Sequence, residues 1–380
     1  MNYQDEERVY AFWLSNIPGV GDVTIHKLLE LAGNARNVFE NPSLWERAMK
    51  PGQYQKMLSH TKGLDLVADY ETFCEKAAGQ GIRLLFEWEE DFPSRLRAIP
   101  DPPYALYVRG ALPGEHLPGV AVVGARECSE YGKYVASAIG AALGRAHIPL
   151  ISGMARGIDG ISQEASLEAG GESFGVLGCG VDVCYPLSNK PLYDRLCERG
   201  GVISTFPLGT EAKPNNFPPR NRIVSGLADI LIVVEARKKS GTLITVDMAL
   251  EQGKDVYVVP GRITDRPSDG CNRLLKQGAG VFLSPEDFLA ELVERFDWLA
   301  VGEQKVENGP MNVSETEENV YRVLTLDPMS VEQIIERLGE GNYSVAKPAD
   351  LLAALMGLTV KGYVSQLSPG YFAVKRESRR

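Results

Sequence analysis

Val120-Ala121-Val122-Val123-Gly124-Ala125-Arg126-Glu127-Cys128-Ser129 reads as a short strand that ends in a glycine turn and feeds a helix. The four apolar residues stop at Gly124, and an Ala- and Leu-rich helical pattern runs over Tyr131–Arg145. A strand, a small-residue turn and a helix N-terminus form an anion site, because free backbone N–H groups point outward and the helix dipole favours negative charge. Arg126 adds a guanidinium fork for a phosphate. Ser129 can cap the helix or bond an oxygen. The G-x-G-x-x-G spacing of dinucleotide sites is missing, and no G-x-x-x-x-G-K-[ST] loop exists in the chain.

The same alternation continues outward from this stretch. Strand-like runs at Ile148–Ile151, Ser173–Leu177, Gly201–Ser204, Ile230–Val234 and Asp255–Val259 alternate with helical stretches at Gly157–Ala169, Leu192–Arg199, Thr242–Gln252 and Gly270–Gln277. Strands that are apolar throughout, each followed by a helix, imply a parallel sheet covered on both faces. The fold class expected is α/β, a Rossmann-like doubly wound and mostly parallel sheet over residues 83–297. Such sheets bind ligands at the carboxyl ends of their strands, near the switch in strand order.

Three further loops fall at such ends. Ser152-Gly153-Met154-Ala155-Arg156-Gly157-Ile158-Asp159 repeats the small-residue turn and arginine, with Asp159 either capping the helix or accepting from Arg156. Arg237-Lys238-Lys239-Ser240-Gly241-Thr242 sets three basic residues ahead of another helix start. The last loop is Lys213-Pro214-Asn215-Asn216-Phe217-Pro218-Pro219-Arg220-Asn221-Arg222. An aromatic face stacks on a base and arginines pair with phosphates. Prolines and polar neighbours favour exposure of Phe217. Arg220 and Arg222, with Asn221 between them, cannot face the same way on a helix, so one is free to hold phosphate while the other ties the loop to the sheet.

The flanks differ in pattern. Residues 1–82 read as short helices, with Ile17-Pro18-Gly19-Val20-Gly21 leading into the amphipathic Thr24–Leu31. That is a helix-hairpin-helix-like turn, which either holds a phosphate or simply packs. Residues 298–315 read as a linker. In residues 316–380, helices at Thr316–Leu326, Val331–Leu338 and Pro348–Met356 precede β runs at Val360–Gln366 and Gly370–Val374, a winged-helix-like order. Its third helix carries little basic charge, which favours a partner-binding or packing module over duplex reading.

Composition narrows the function classes. The net charge of −10 argues against a whole-surface polyanion binder and leaves room for a local basic groove. No apolar run approaches a membrane span, and the acidic N-terminus is unlike a signal peptide. The six cysteines and four histidines show no metal spacing and read as reduced cytoplasmic thiols and scattered imidazoles. No metal and no cofactor are expected. Gly171-Glu172-Ser173-Phe174-Gly175 matches G-x-S-x-G as text, yet its serine begins a strand, whereas a nucleophile elbow sits where a strand turns into a helix.

Taken in order, Gly124-Ala125-Arg126-x-x-Ser129, Ser152-Gly153-Met154-Ala155-Arg156-Gly157-Ile158-Asp159, Phe217-x-x-Arg220-Asn221-Arg222-Ile223, Ser240-Gly241-Thr242-Leu243-Ile244-Thr245 and Val259-Pro260-Gly261 resemble the DNA processing protein A family (DprA, also called Smf). The resemblance implies a cytoplasmic, non-enzymatic protein that binds single-stranded DNA in natural transformation, protects incoming strands and helps load the RecA recombinase. It also implies a homodimer formed through the Rossmann-like domain. Carried over by motif, the DNA contacts are Arg126, the Ser152-Gly153 turn, Phe217 and the basic Lys213 just before it. This chain has Ser204-Thr205-Phe206-Pro207 where the family often has Ser-Glu-Tyr-Pro. The competing expectation is a nucleotide-binding enzyme, such as a nucleoside-monophosphate phosphoribohydrolase, whose glycine loop and glutamate Ser240-Gly241-Thr242 and Glu251 loosely match.

Overall fold

The computed structural model describes residues 3–296, 313–325, 329–340, 348–361, 363–368 and 370–374. The expected linker at 298–315 lies outside them as far as residue 312. The chain divides into two compact units, Met1–Ala300 and Val301–Arg380.

A nine-stranded sheet organises the first unit. In chain order its strands are β1 (Ile82–Phe86), β2 (Ala105–Gly110), β3 (Val120–Val123), β4 (Leu150–Ser152), β5 (Ser173–Val176), β6 (Gly200–Ser204), β7 (Ile230–Val233), β8 (Asp255–Val258) and β9 (Gly280–Val281). In space they run β1-β2-β6-β5-β4-β3-β7-β8-β9. Every pair from β6 to β9 is parallel. The β1–β2 and β2–β6 pairs are antiparallel. The largely parallel sheet agrees with the sequence reading; β1, β2 and β9 are additions to it.

From β3 the chain steps outward through β4, β5 and β6, then crosses back to β7 on the other side of β3. The strand order therefore reverses between β3 and β7, which opens a crevice at their carboxyl ends. Val120–Val123 pairs in register with Ile230–Val233, so the loops that follow Val123 and Val233 leave the sheet side by side. All eight of these residues are buried, as expected for strands covered on both faces.

Strand β4 begins at Leu150, two residues later than expected. His147 takes a left-handed φ of 54° and turns the chain out of the Glu130–Arg145 helix, and Ile148 N–H still bonds the Leu143 carbonyl. That helix crosses the Ile158–Glu168 helix at very short range. A Cβ at Gly140 would lie 2.1 Å from the Ser162 carbonyl oxygen, so only glycine fits there.

Two apolar clusters cover the sheet. Residues 3–81, mostly helical, pack Trp13, Leu14, Leu28 and Trp45 into one cluster with Phe86, Tyr104 and Tyr107. Phe92, Leu96, Ile223, Leu227 and Val246 belong to the other. The expected hairpin turn at Gly19-Val20-Gly21 precedes the Asp22–Ala32 helix, with Gly19 at φ 81°.

The second unit runs helix Glu315–Val323, β10 (Met329–Ser330), helix Val331–Glu340, helix Pro348–Val360, β11 (Val364–Ser368) and β12 (Tyr371–Val374). Its strands order β10-β12-β11. Val320, Ile334, Leu355, Leu358 and Phe372 fill its core. The expected strand at Val360–Gln366 starts later, because the third helix continues through Val360 and Lys361 N–H still bonds the Gly357 carbonyl.

Candidate nucleic-acid interface

A cavity of about 500 Å³ opens where the strand order reverses. Gly124, Ala125 and Arg126 reach it from β3, Gly153 from β4, and Ser240, Gly241 and Thr242 from β7. Phe217, Arg220 and Asn221 form a wall, from the first turns of the Phe217–Leu227 helix. Thr242 Oγ1 donates to the Gly124 carbonyl (3.2 Å), which ties the β3 and β7 loops together. The topology thus brings five separate stretches of sequence into one cleft, the fifth carrying Tyr185.

Arg126 is exposed, and its guanidinium carbon lies 5.1 Å from the centroid of the Phe217 ring. Among the described residues it has no carboxylate partner. The charge is therefore available to an anion at the cleft's rim, while the ring beneath fixes its direction. Phe217 was expected to be exposed; it is half-buried instead. Its edge packs so closely on the backbone that a Cβ at Gly178 would come within 2.9 Å of the ring.

Arg220 requires a correction as a DNA contact. It is 5% exposed and donates to the Gly153 carbonyl (2.7 Å) and to the Val176 carbonyl. Its Nε donates to Asn221 Oδ1 (3.1 Å), which occupies that side of the amide. Burial pushes the guanidinium down to about 10, partly offset by the nearby Asp159 carboxylate. A buried cation whose Nη1 and Nε are bonded within the protein braces the loops around the cleft. Arg222 is committed elsewhere too, to the Asp101 carbonyl and the Asp22 carboxylate. Asp22 also accepts from the Tyr104 N–H (3.0 Å), so Arg222 clamps the N-terminal helices to the sheet. Both arginines brace; the expected division of labour between them does not occur.

Two of the expected anion turns are filled from within. Ser129 caps the Glu130–Arg145 helix through Gly132 N–H (3.1 Å). The buried Glu235 carboxylate accepts from Ser129 N–H (2.9 Å) and Ser129 Oγ (2.5 Å). The protein's own carboxylate thus takes the place assigned to a phosphate, and Ser129 is a positioning residue. At the β4 turn, Ser152 is buried with Oγ donating to the Val122 carbonyl (2.6 Å). Gly153 N–H donates to Asp159 Oδ2 (3.1 Å). Asp159 therefore neither caps its helix nor meets Arg156, and burial raises its carboxyl despite Arg220 and this N–H. The third turn stays open to the cleft, with Ser240 Oγ capping Thr242 N–H (3.2 Å) and Lys239 exposed just before it.

Two basic residues stand away from the cleft lining. Arg156 faces a neighbouring cavity of about 570 Å³ beside Glu164 and Asn189. Lys213 is exposed with Nζ 3.7 Å from Glu211, although its neighbours Ala212 and Pro214 line the cleft. Glu251, the acid considered for an enzyme, closes the Gly241–Glu251 helix at the end away from the cleft, ~15 Å along the axis from Gly241. The sequence reading missed Glu235 and Tyr185. Tyr185 lines the cleft, and its setting in a Cys-Tyr-Pro stretch beyond β5 was the available signal.

Among the described residues no group of three or more His, Cys, Asp or Glu side chains could hold a metal, and no helix is long and apolar enough to cross a membrane. A family model described as DNA recombination-mediator protein A matches residues 83–293, over half of the chain. The chain belongs to this family. The match spans β2 to β9 and the whole cleft. Protein Smf of Escherichia coli (strain K12) is 35% identical, over 76% of this chain and 76% of its own. The X-ray structure of DNA processing protein A from Streptococcus pneumoniae superposes with a TM-score of 0.65 at 32% identity, covering 75% of this chain and 97% of that one. DNA processing protein A from Helicobacter pylori, solved for its single-stranded DNA binding mode, gives a TM-score of 0.51 at 27% identity, over 56% of this chain and 96% of its own.

Proposed function

We propose that this protein binds single-stranded DNA with little regard to sequence, in the cleft between the β3 and β7 loops. One observation carries the reading: the unpaired Arg126 guanidinium set over the Phe217 ring at the carboxyl ends of the parallel strands. Stacking on aromatic faces and pairing of phosphates with cations are both sequence-tolerant. Lys213 and Lys239, both exposed, adjoin residues that line the cleft and add positive charge beside it. Gly241, exposed at the start of its helix, brings backbone to the cleft.

In this reading the protein acts in natural transformation in the cytoplasm, shielding incoming strands and passing them to the RecA recombinase without a catalytic step. The family's description as a recombination mediator supports the hand-over. The commitment of Asp159 to the Gly153 N–H supports binding over acid–base chemistry in the cleft. We infer a homodimer through the Rossmann-like domain, in keeping with exposed Val281 and Leu283 at the open β9 edge. The division into a helical domain (1–82), a Rossmann-like domain (83–297), a linker (298–315) and a winged-helix-like domain (316–380) completes the proposal. The helix-strand-helix-helix-hairpin order of the second unit supports its last element.

The test is a fluorescence-anisotropy titration of oligo-dT against a duplex of the same length, at about 0.05 M and about 0.2 M salt. Tighter binding of the single strand, weakening with salt, supports the proposal. Equal affinity for the two, or none for either, rejects it.

A further inference from the structure

We propose that Tyr185 is a second base-stacking residue, the outer ring of an aromatic stack whose inner ring is Phe217. The inference rests on the reading of the cleft as a single-stranded DNA site. The two ring centroids lie 5.6 Å apart with planes inclined by 30°. That separation leaves no room for a base between them, so a base must add to the outside of the pair.

Phe217, half-buried, offers only part of its surface for that purpose. Arg126 lies over the ring, and Arg220 is 5.7 Å from its centroid. The backbone at Gly178 crowds its edge. Tyr185, by contrast, is 42% exposed and lines the same cleft. Among the described residues nothing bonds its hydroxyl, which remains free for a base edge or a phosphate oxygen.

The loop that carries Tyr185 is held on both sides, as a stacking platform requires. Asn189, at the end of the following 3₁₀ turn, donates to the carbonyls of Met154 (3.1 Å) and Ala155 (3.3 Å), on the β4 loop. Upstream, Gly180 N–H donates to the Thr210 carbonyl (3.0 Å) and Asp182 accepts from Gly209 N–H (2.8 Å). The ring is therefore placed before DNA arrives, and little conformational entropy remains to be lost on binding.

The test compares Tyr185→Ala, Tyr185→Leu and Tyr185→Phe with the wild type, using oligo-dT carrying one 2-aminopurine. Anisotropy reads affinity and 2-aminopurine quenching reads stacking, while thermal melting confirms that each variant is folded. Tyr185→Ala and Tyr185→Leu raise the Kd by roughly 5- to 150-fold, the range for one stacked base. Both lose part of the quenching, and Tyr185→Phe keeps it. Leucine fills the space without a π face, so a role limited to packing on Phe217 leaves Tyr185→Leu close to wild type, and that result overturns the proposal. A wild type that binds, with Tyr185→Ala matching it, overturns the role of Tyr185 alone. A wild type that does not bind the oligonucleotide overturns this proposal and the single-stranded DNA reading together.

Discussion

The guanidinium of Arg126, on the loop after β3, lies over the ring of Phe217, which opens the helix before β7, with 5.1 Å between Cζ and the ring centroid. Neither residue alone distinguishes a binding site from a surface. Together they place a cation and a π face where the strand order reverses. Arg126→Ala should lower affinity for oligo-dT and reduce the slope of log K against log salt by about 0.7, the value for one phosphate contact on a single strand. Phe217→Ala should cost about 1–3 kcal/mol of binding. Because the two side chains touch, the double variant should lose less than the sum of the singles. Anisotropy titrations across a salt series check all three.

Arg220 should behave in the opposite manner. Its removal leaves the Gly153 and Val176 carbonyls without a donor and Asp159 without its neighbouring cation. Leaving a buried carbonyl without its hydrogen bond costs about 1–3 kcal/mol. Arg220→Met should therefore lower the melting temperature sharply, whereas Arg126→Ala leaves it unchanged. Calorimetry on the two variants separates the bracing arginine from the binding one.

The clamp between the N-terminal helices and the sheet should depend on pH. His26 Nε2 lies 2.8 Å from Glu87, and this hydrogen bond, with the attraction of the carboxylate, raises the imidazole above 6.5 despite partial burial. A raised pKa favours the protonated folded state. The stabilisation is full below 6.5 and is lost as the pH rises through the folded-state value. His26→Gln should therefore lower the melting temperature more at about pH 6 than at about pH 8. A difference that does not depend on pH would show that the bridge contributes only packing.

The parallel strands β3 to β8 are legible in the sequence because they are mostly buried and so read as apolar runs, whereas β9, two residues long with Val281 exposed, is not. Strands β1 and β2 are also less legible. Arg83 interrupts the first, and only the four-residue helix Ser94–Arg97 joins this antiparallel pair at the sheet's border. Arg126 and Phe217 are legible as types that stack and pair. The fate of Arg220 is not, since an arginine three residues past Phe217 reads alike whether it meets solvent or the Val176 carbonyl. Glu235 escapes for a related reason: a carboxylate that fills a helix N-terminus is brought there by the β3–β7 pairing, which no local pattern encodes.

The second unit should contribute little to DNA affinity. Each basic side chain among its described residues has a partner: Arg322 pairs with Glu318, Lys361 with Glu317, and Arg337 donates to the Val323 carbonyl. A chain ending at Arg295 should bind oligo-dT with the affinity and salt slope of the full protein. A drop in either would assign phosphate contacts to the removed segment.

Photocross-linking tests the central claim most directly. Oligo-dT carrying 5-iododeoxyuridine, bound to the full chain, irradiated and digested, reports by mass spectrometry which side chains lie against a base. The cleft predicts adducts on the peptides that contain Phe217 and Tyr185, reduced in yield when Arg126 is replaced by alanine. Adducts confined to the N-terminal helices or to residues 313–374, with none on those two peptides, would contradict it.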